Sequence, residues 1–151
     1  MIKHILVPMD LTDRSEVALR KAVELGHESD PKITLVNIHK EFLGKDEMDM
    51  LRVSVTDMLE KFRKIARESR EEMKATIERL AGEDLEIEYL IREGKPAETI
   101  PLIARDLGVD MIIMATDGRD NLRNLVLGTI TEKVINHAPC PVLVIPYHLH
   151  R

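Results

Sequence analysis

The sequence predicts an α/β protein: a doubly wound, five-stranded parallel sheet with helices on both faces. Three observations predict it. Five short apolar runs alternate with four longer stretches of helical periodicity, the order of successive β-α-β units. The fourth run, Met111–Ala115, is apolar throughout, as a strand buried on both faces is. The 151 residues, 44% hydrophobic and 32% charged, suit one domain with a real core, taken as 1–151.

Taken in order, residues 5–7 (Ile, Leu, Val) give the first strand, ending at Pro8-Met9-Asp10. A helix follows. Thr12 or Asp13 is placed to cap it, Asp13 and Glu16 have capping-box spacing, and Gly26 is read as its stop. Val17, Ala18, Ala22, Val23 and Leu25 form its apolar face. Residues 33–38 are the second strand. The stretch 41–82 is dense in charge of both signs. Within it Leu51, Val55, Met58, Phe62, Ile65 or Ala66, Met73, Ile77 and Leu80 recur at spacings of mostly three and four, the mark of a single-faced amphipathic helix. One helix over about 48–81 is expected after a loop at 44–49, with Gly82 ending it. At roughly 50 Å, from 1.5 Å per residue, it has to bend or overhang the sheet.

The third strand is read over 85–91, where Leu85, Ile87, Tyr89 and Ile91 alternate. Gly94-Lys95-Pro96 opens a helix to Leu107, stopped by Gly108. Pro101 inside it leaves two readings, a start near Glu98 or a kink. The fourth strand gives way to a polar loop over about 116–124. Gly128-Thr129 opens a last helix that ends near His137-Ala138. Pro139-Cys140-Pro141 leads into the fifth strand, Val142–Ile145, closed by Pro146.

Composition narrows the function. Lys plus Arg number 22 and Asp plus Glu 27, so the formal charge is 22 − 27 = −5, which disfavours direct nucleic-acid binding. With 3% aromatics, platforms for stacking bases are nearly absent. No apolar run approaches the ~18 residues of a membrane span. The opening MIKHILVPMD makes a poor signal peptide, and the single cysteine excludes an intrachain disulfide. A cytoplasmic location is the expectation.

In doubly wound folds ligands bind beyond the carboxyl ends of the strands. Two such ends stand out here: Pro8-Met9-Asp10, and Ala115-Thr116-Asp117-Gly118 with Gly128-Thr129 beyond it. Glycines let the backbone approach a phosphate, and a helix N-terminus offers free N–H groups and partial positive charge. The plainer alternative makes Gly118 a turn glycine and Thr129 an N-cap, with Glu132 completing a capping box. GxxxxGK[ST] and GxGxxG are both missing.

These residues resemble the universal stress protein family, in its UspA-like, ATP-binding branch, over essentially the whole chain. ILVPMDLTDRSEVAL matches the family's apolar-apolar-Val-Pro-x-Asp opening. GKPAETI matches Gly-x-Pro-x-Glu-x-Ile. VDMIIMATDGRDNLRNLVLGTITEKVINHAPCPVLVIP matches its closing run. Aligned on G-x2-G-x9-G-[ST], the motif falls on Ala115, Gly118 and Gly128-Thr129. Ala115 departs from the first glycine; its methyl is tolerated where the backbone stays β-type.

The resemblance implies strand order 3-2-1-4-5 and a nucleotide, ATP or AMP, between strands one and four. It places Pro8, Met9 and Asp10 beside ribose and adenine, Ile38 against adenine, and the Ala115 backbone at the ribose. Gly118, Gly128, Thr129, Ile130 and Thr131 are placed at the phosphates, with Arg119 beside them. Mg or Mn is expected only through the phosphates, with no protein metal ligands. The resemblance also implies a homodimer that pairs the fifth strand, Val142, Leu143, Val144 and Ile145.

Other candidates carry less. His39 ends the second strand at the ligand edge, and His148 and His150 lie in the tail. Cys140 reads as a structural thiol, and no GxSxG elbow supports a Ser nucleophile. Without a visible base, metal cage or arginine finger, no catalytic residue is assigned and hydrolysis is expected to be slow at most. The leading reading is a regulator of the stress response that binds ATP or AMP. The alternatives are the same fold acting through protein contacts without nucleotide, and a slow ATPase or phosphotransferase.

Overall fold

The computed structural model describes residues 1–40, 49–80, 82–116 and 127–147. The strands are β1 (His4–Pro8), β2 (Lys32–His39), β3 (Ile87–Glu93), β4 (Met111–Ala115) and β5 (Val142–Ile145). The helices are α1 (Asp13–Ser29), α2 (Val55–Arg79), α3 (Pro96–Leu107) and α4 (Thr129–His137). All strands are parallel, in the order β3-β2-β1-β4-β5, as expected.

Alternation along the strands divides the core between two faces. Ile5, Val7, Ile33, Leu35 and Ile113 pack against Val17, Leu19 and Val23 of α1 and Met73 and Ile77 of α2. Leu6, Val36, Ile112 and Met114 face Ile100, Ile103 and Ala104 of α3 and Val134 of α4. Burial of these aliphatic side chains, worth about 1.5–3 kcal/mol each, holds a core with almost no aromatic residues.

Several boundaries differ from the sequence reading, each for a local reason. Gly26 does not stop α1. It sits inside the helix, where an added Cβ would lie 2.7 Å from Leu85 Cδ1. Asp30 closes the helix instead, in the left-handed region at φ 51°. The Asp13–Glu16 capping box does not form. Thr12 is the N-cap, but its hydroxyl bonds Asp10, and Glu16 is drawn to Arg79 at 3.1 Å and 3.3 Å.

α2 starts at Val55, not near 48, because Ser54 Oγ caps it by accepting from Asp57 N at 3.1 Å. It ends at Arg79, ahead of Gly82. Only its C-terminal half buries side chains, beginning at Ser69. Val55 (67% exposed) and Leu59 (51%) stand clear of the sheet, the overhang its length required. β3 begins at Ile87, since Leu85 packs beneath Gly26 instead of pairing. Pro101 lies inside α3, which starts at Pro96, so the later start is not taken. Among the described residues no helix is long and apolar enough to cross a membrane.

Candidate functional site

A cleft opens at the carboxyl ends of β1 and β4, where the sheet order reverses direction. Pro8 and Asp10 line it from β1 and its turn, and Met114, Ala115 and Thr116 from β4. Three helix N-termini converge on it: Arg14 and Ser15 of α1, Pro96 and Ile100 of α3, and Ile130 and Thr131 of α4. The fold dictates this convergence, because every helix that follows a parallel strand begins at the strand's carboxyl end.

Asp10 is the cleft's ionisable centre. Its Oδ1 accepts from Thr12 N at 3.0 Å and from the Thr12 hydroxyl, and Oδ2 lies 3.6 Å from the Arg14 guanidinium. Partial burial pushes its pKa up. The Thr12 hydroxyl and amide, Ser15 and Arg14 pull harder, and the net shift is downward. Asp10 is therefore held as a carboxylate and acts as an acceptor, not as a proton store. Leu11, the next residue, takes φ 64°, a left-handed conformation that is costly for an L side chain with a Cβ.

The phosphate side of the cleft is built from backbone. Gly128, not Thr129, is the N-cap of α4, with φ 85°, ψ 152° and no side-chain cap. The first bond of the helix runs from Glu132 N to Gly128 O at 3.0 Å. The amides of Thr129, Ile130 and Thr131 precede that bond, and no capping box takes them up. Such a terminus presents donors and partial positive charge to an anion. The Thr131 hydroxyl turns inward, 3.5 Å from the Ala115 carbonyl.

Ala115 occupies an extended position opposite Ile145 in the sheet, and its φ is not positive. Its methyl therefore costs no backbone strain. Thr116 continues that ladder by one bond, from its N to Ile145 O at 3.0 Å.

Of the residues singled out from sequence, Pro8, Asp10, Ala115, Ile130 and Thr131 meet in the cleft. Gly128 and Thr129 form the adjoining turn into α4. Met9 does not line the cleft: its side chain is 4% exposed and packs in the core on the α1–α2 side. Ile38 is half-buried against the α3–α4 core and is not among the lining residues of the cleft. Gly118 and Arg119 lie outside the described residues, as do His148 and His150. His39 faces α2, with its Nε2 3.0 Å from Ser69 Oγ. Cys140 is half-buried and its thiol pKa is raised, first by burial and then by Asp110, which suits a structural role.

Thr116, part of the strand end singled out from sequence, also lines the cleft, and Arg14, Ser15, Pro96, Ile100 and Met114 do so without an assigned role. Arg14 and Ser15 follow Asp10 by four and five residues, in the first turn of α1, and Pro96 and Ile100 belong to the GKPAETI segment. The signal for all four was proximity to those motifs in the chain. Among the described residues there is no group of three or more His, Cys, Asp or Glu side chains placed to hold a metal ion.

Residues 1–146 match the model of the Universal stress protein family. The chain belongs to that family. Universal stress protein MJ0577 of Methanocaldococcus jannaschii is 30% identical to it, over 96% of this chain and 95% of that protein. A solved structure of MJ0577 superposes with a TM-score of 0.73, covering 96% of each chain. Two further universal stress protein structures share the fold and hold nucleotides. One, in complex with cAMP, is 16% identical with a TM-score of 0.63, covering 97% of this chain and 98% of that one. The other, from Archaeoglobus fulgidus in complex with dAMP, is 22% identical with a TM-score of 0.59, covering 96% and 98%. As a universal stress protein, this chain departs at Ala115 from the glycine its motif leads one to expect, in the extended conformation that accommodates the change.

Proposed function

We propose that this universal stress protein binds ATP or AMP in the β1–β4 cleft and works as a nucleotide-linked regulator of the stress response. One observation carries the reading. The uncapped N-terminus of α4, entered through Gly128 at φ 85°, adjoins the same cleft as the Asp10 carboxylate. One end of the cleft then suits a phosphate and the other the hydroxyl or amino donors of a nucleoside. The cAMP and dAMP complexes of proteins with this fold support an adenine nucleotide as the ligand class.

In this reading the amides of Thr129, Ile130 and Thr131 bind phosphate oxygens, and Gly118 and Arg119 belong to the same phosphate loop. The Ala115 backbone meets the ribose. Pro8 and Asp10 take the ribose and adenine side, with Ile38 against the base. Met9 serves through its backbone, since its side chain is in the core. Mg or Mn is carried by the phosphates. Among the described residues of the cleft Asp10 is the one carboxylate, and it is already committed to Thr12 and Arg14. Turnover is therefore slow or absent.

The protein acts in the cytoplasm as a homodimer through β5. That strand is an edge, and Val142, Leu143 and Val144 are only half-buried in the single chain. An apolar edge of this kind is ready to pair. Sedimentation at micromolar concentration tests the dimer, and a clean monomer there refutes it.

The nucleotide reading is tested by denaturing the purified protein, identifying any released nucleotide and titrating ATP with Mg²⁺. The absence of both released nucleotide and saturable binding refutes it. Turnover faster than about one per minute, still far below the roughly 1–100 per second of kinases, favours an enzyme instead.

A further inference from the structure

We propose that Asn37 is a positioning residue for the cleft: its side-chain amide holds the Met9 carbonyl and so fixes the turn that presents Asp10. The proposal rests on the nucleotide reading for its consequence, though not for its geometry.

The β1–β2 ladder ends with Pro8 opposite Val36, and Met9 N still donates to Val36 O at 2.7 Å. Beyond that point the chain has to leave the sheet and turn into α1 within three residues. A continuing parallel ladder gives each carbonyl to a backbone amide of the neighbouring strand. Here the Met9 carbonyl is met by a side chain, Asn37 Nδ2, at 2.7 Å. Met9 is thus clamped at both its N–H and its C=O. The residues that follow are the Asp10 turn and Leu11 at φ 64°. A strained residue of this kind persists only where its surroundings over-determine it.

Asn37 is an expensive choice for filling space. It is 3% exposed, and its Oδ1 has no hydrogen-bond partner among the described residues. Ile33 and Leu35, which precede it on the same face of β2, are apolar and fully buried. An aliphatic residue at position 37 would spare the core an unpaired acceptor. What the amide supplies, and an aliphatic residue cannot, is the bond to Met9. Through it Asn37 sets where Asp10 stands relative to Thr12 and Arg14. Asn37 lies on the α1–α2 face of the sheet and is not among the residues lining the cleft, so it acts through the turn and not by touching ligand.

Two readouts on Asn37→Leu and Asn37→Ala, neither of which can donate to the Met9 carbonyl, test this. The first is a carbon-13 NMR titration of the Asp10 carboxyl in nucleotide-free protein. The parent titrates below the ordinary carboxylate value, and both variants move upward towards it as Thr12 and Arg14 lose register with Asp10. The second is ATP affinity by calorimetry. It weakens about tenfold in each variant, as the loss of one oriented hydrogen bond implies, and the loss vanishes in an Asp10→Ala background. A general packing defect would instead weaken binding equally in both backgrounds.

If one variant does not fold, the other carries both measurements. An unchanged Asp10 titration in a folded variant overturns the proposal, and so does an undiminished loss of affinity in the Asp10→Ala background. If the parent binds no ATP, the nucleotide reading fails by itself. The Asp10 titration then decides the role of Asn37 alone.

Discussion

Adding one methyl group at Gly128 tests the phosphate side of the cleft. Gly128 sits at φ 85° and ψ 152°, a combination nearly confined to glycine. Holding an alanine there costs about 1–3 kcal/mol. For a chain of this size each kcal/mol lowers the melting temperature by about 2–4 °C. Gly128→Ala is therefore expected to melt about 2–12 °C below the parent, unless the first turn of α4 shifts to relieve the strain. Either response moves the amides of Thr129, Ile130 and Thr131.

The functional consequence is read in the same melt with nucleotide added. ATP at a hundred times its Kd stabilises by about 2.7 kcal/mol, an upward shift of about 5–11 °C for the parent. Gly128→Ala is expected to lose most of that shift. Gly108→Ala is the control. Gly108 has φ 61° in the C-cap of α3, and nothing lies within 4 Å of an added Cβ. It costs about 1–2 kcal/mol of stability but keeps the full ATP shift. If Gly128→Ala melts with the parent and retains the nucleotide shift, the account of the α4 N-terminus is wrong.

Three further outcomes are expected. Ala115→Gly keeps nucleotide affinity within about threefold, since the methyl causes no strain there, and loses about 0.5–1 kcal/mol of stability to strand entropy; calorimetry and a melt check both. Asp10 has a folded-state pKa below its ordinary 3.8, so its stabilisation is present above that pH and is lost as pH falls through the folded value. Asp10→Asn should flatten the acid limb of the stability curve, modestly and less at high salt, because the carboxylate is half-exposed. The pKa of His4 is lowered from 6.5, first by burial and then by Lys32, against the pull of Glu88 and two other carboxylates. Its neutral ring bonds Thr34 Oγ1 at 2.7 Å. The unfolded chain takes up the proton more readily, so stability is full above pH 6.5 and declines below it. His4→Gln removes that decline in a urea titration series.

Much of the architecture was legible because periodicity and strand-end chemistry agree. The uninterrupted apolar run of β4, the Gly108 stop and the Gly128 entry into α4 all appear where the sequence puts them. The failures share a cause, the choice between local and tertiary partners. Thr12, Asp13 and Glu16 have the spacing of a capping box, but Asp10 and Arg79 compete successfully for two of the side chains. Gly26 has the look of a helix stop, yet it is glycine because Leu85 lies against it. That same contact displaces Leu85 from β3. None of these competitors is visible from a local window.

The candidate cleft was legible at Asp10, Ala115 and the start of α4, where glycine, carboxylate and strand end coincide in sequence. The burial of the Met9 side chain in the core was not legible, because side-chain direction at the end of β1 depends on how the ladder terminates. Asn37 was overlooked because a polar residue within an apolar strand gives no hint of which carbonyl it meets.

The most direct test of the central claim is an equilibrium titration of the purified parent protein with ATP and AMP in the presence of Mg²⁺. The account predicts saturable binding at a single site per chain, competitive between the two nucleotides and lost in Gly128→Val. No saturable binding up to millimolar nucleotide, or full binding retained in Gly128→Val, would contradict it.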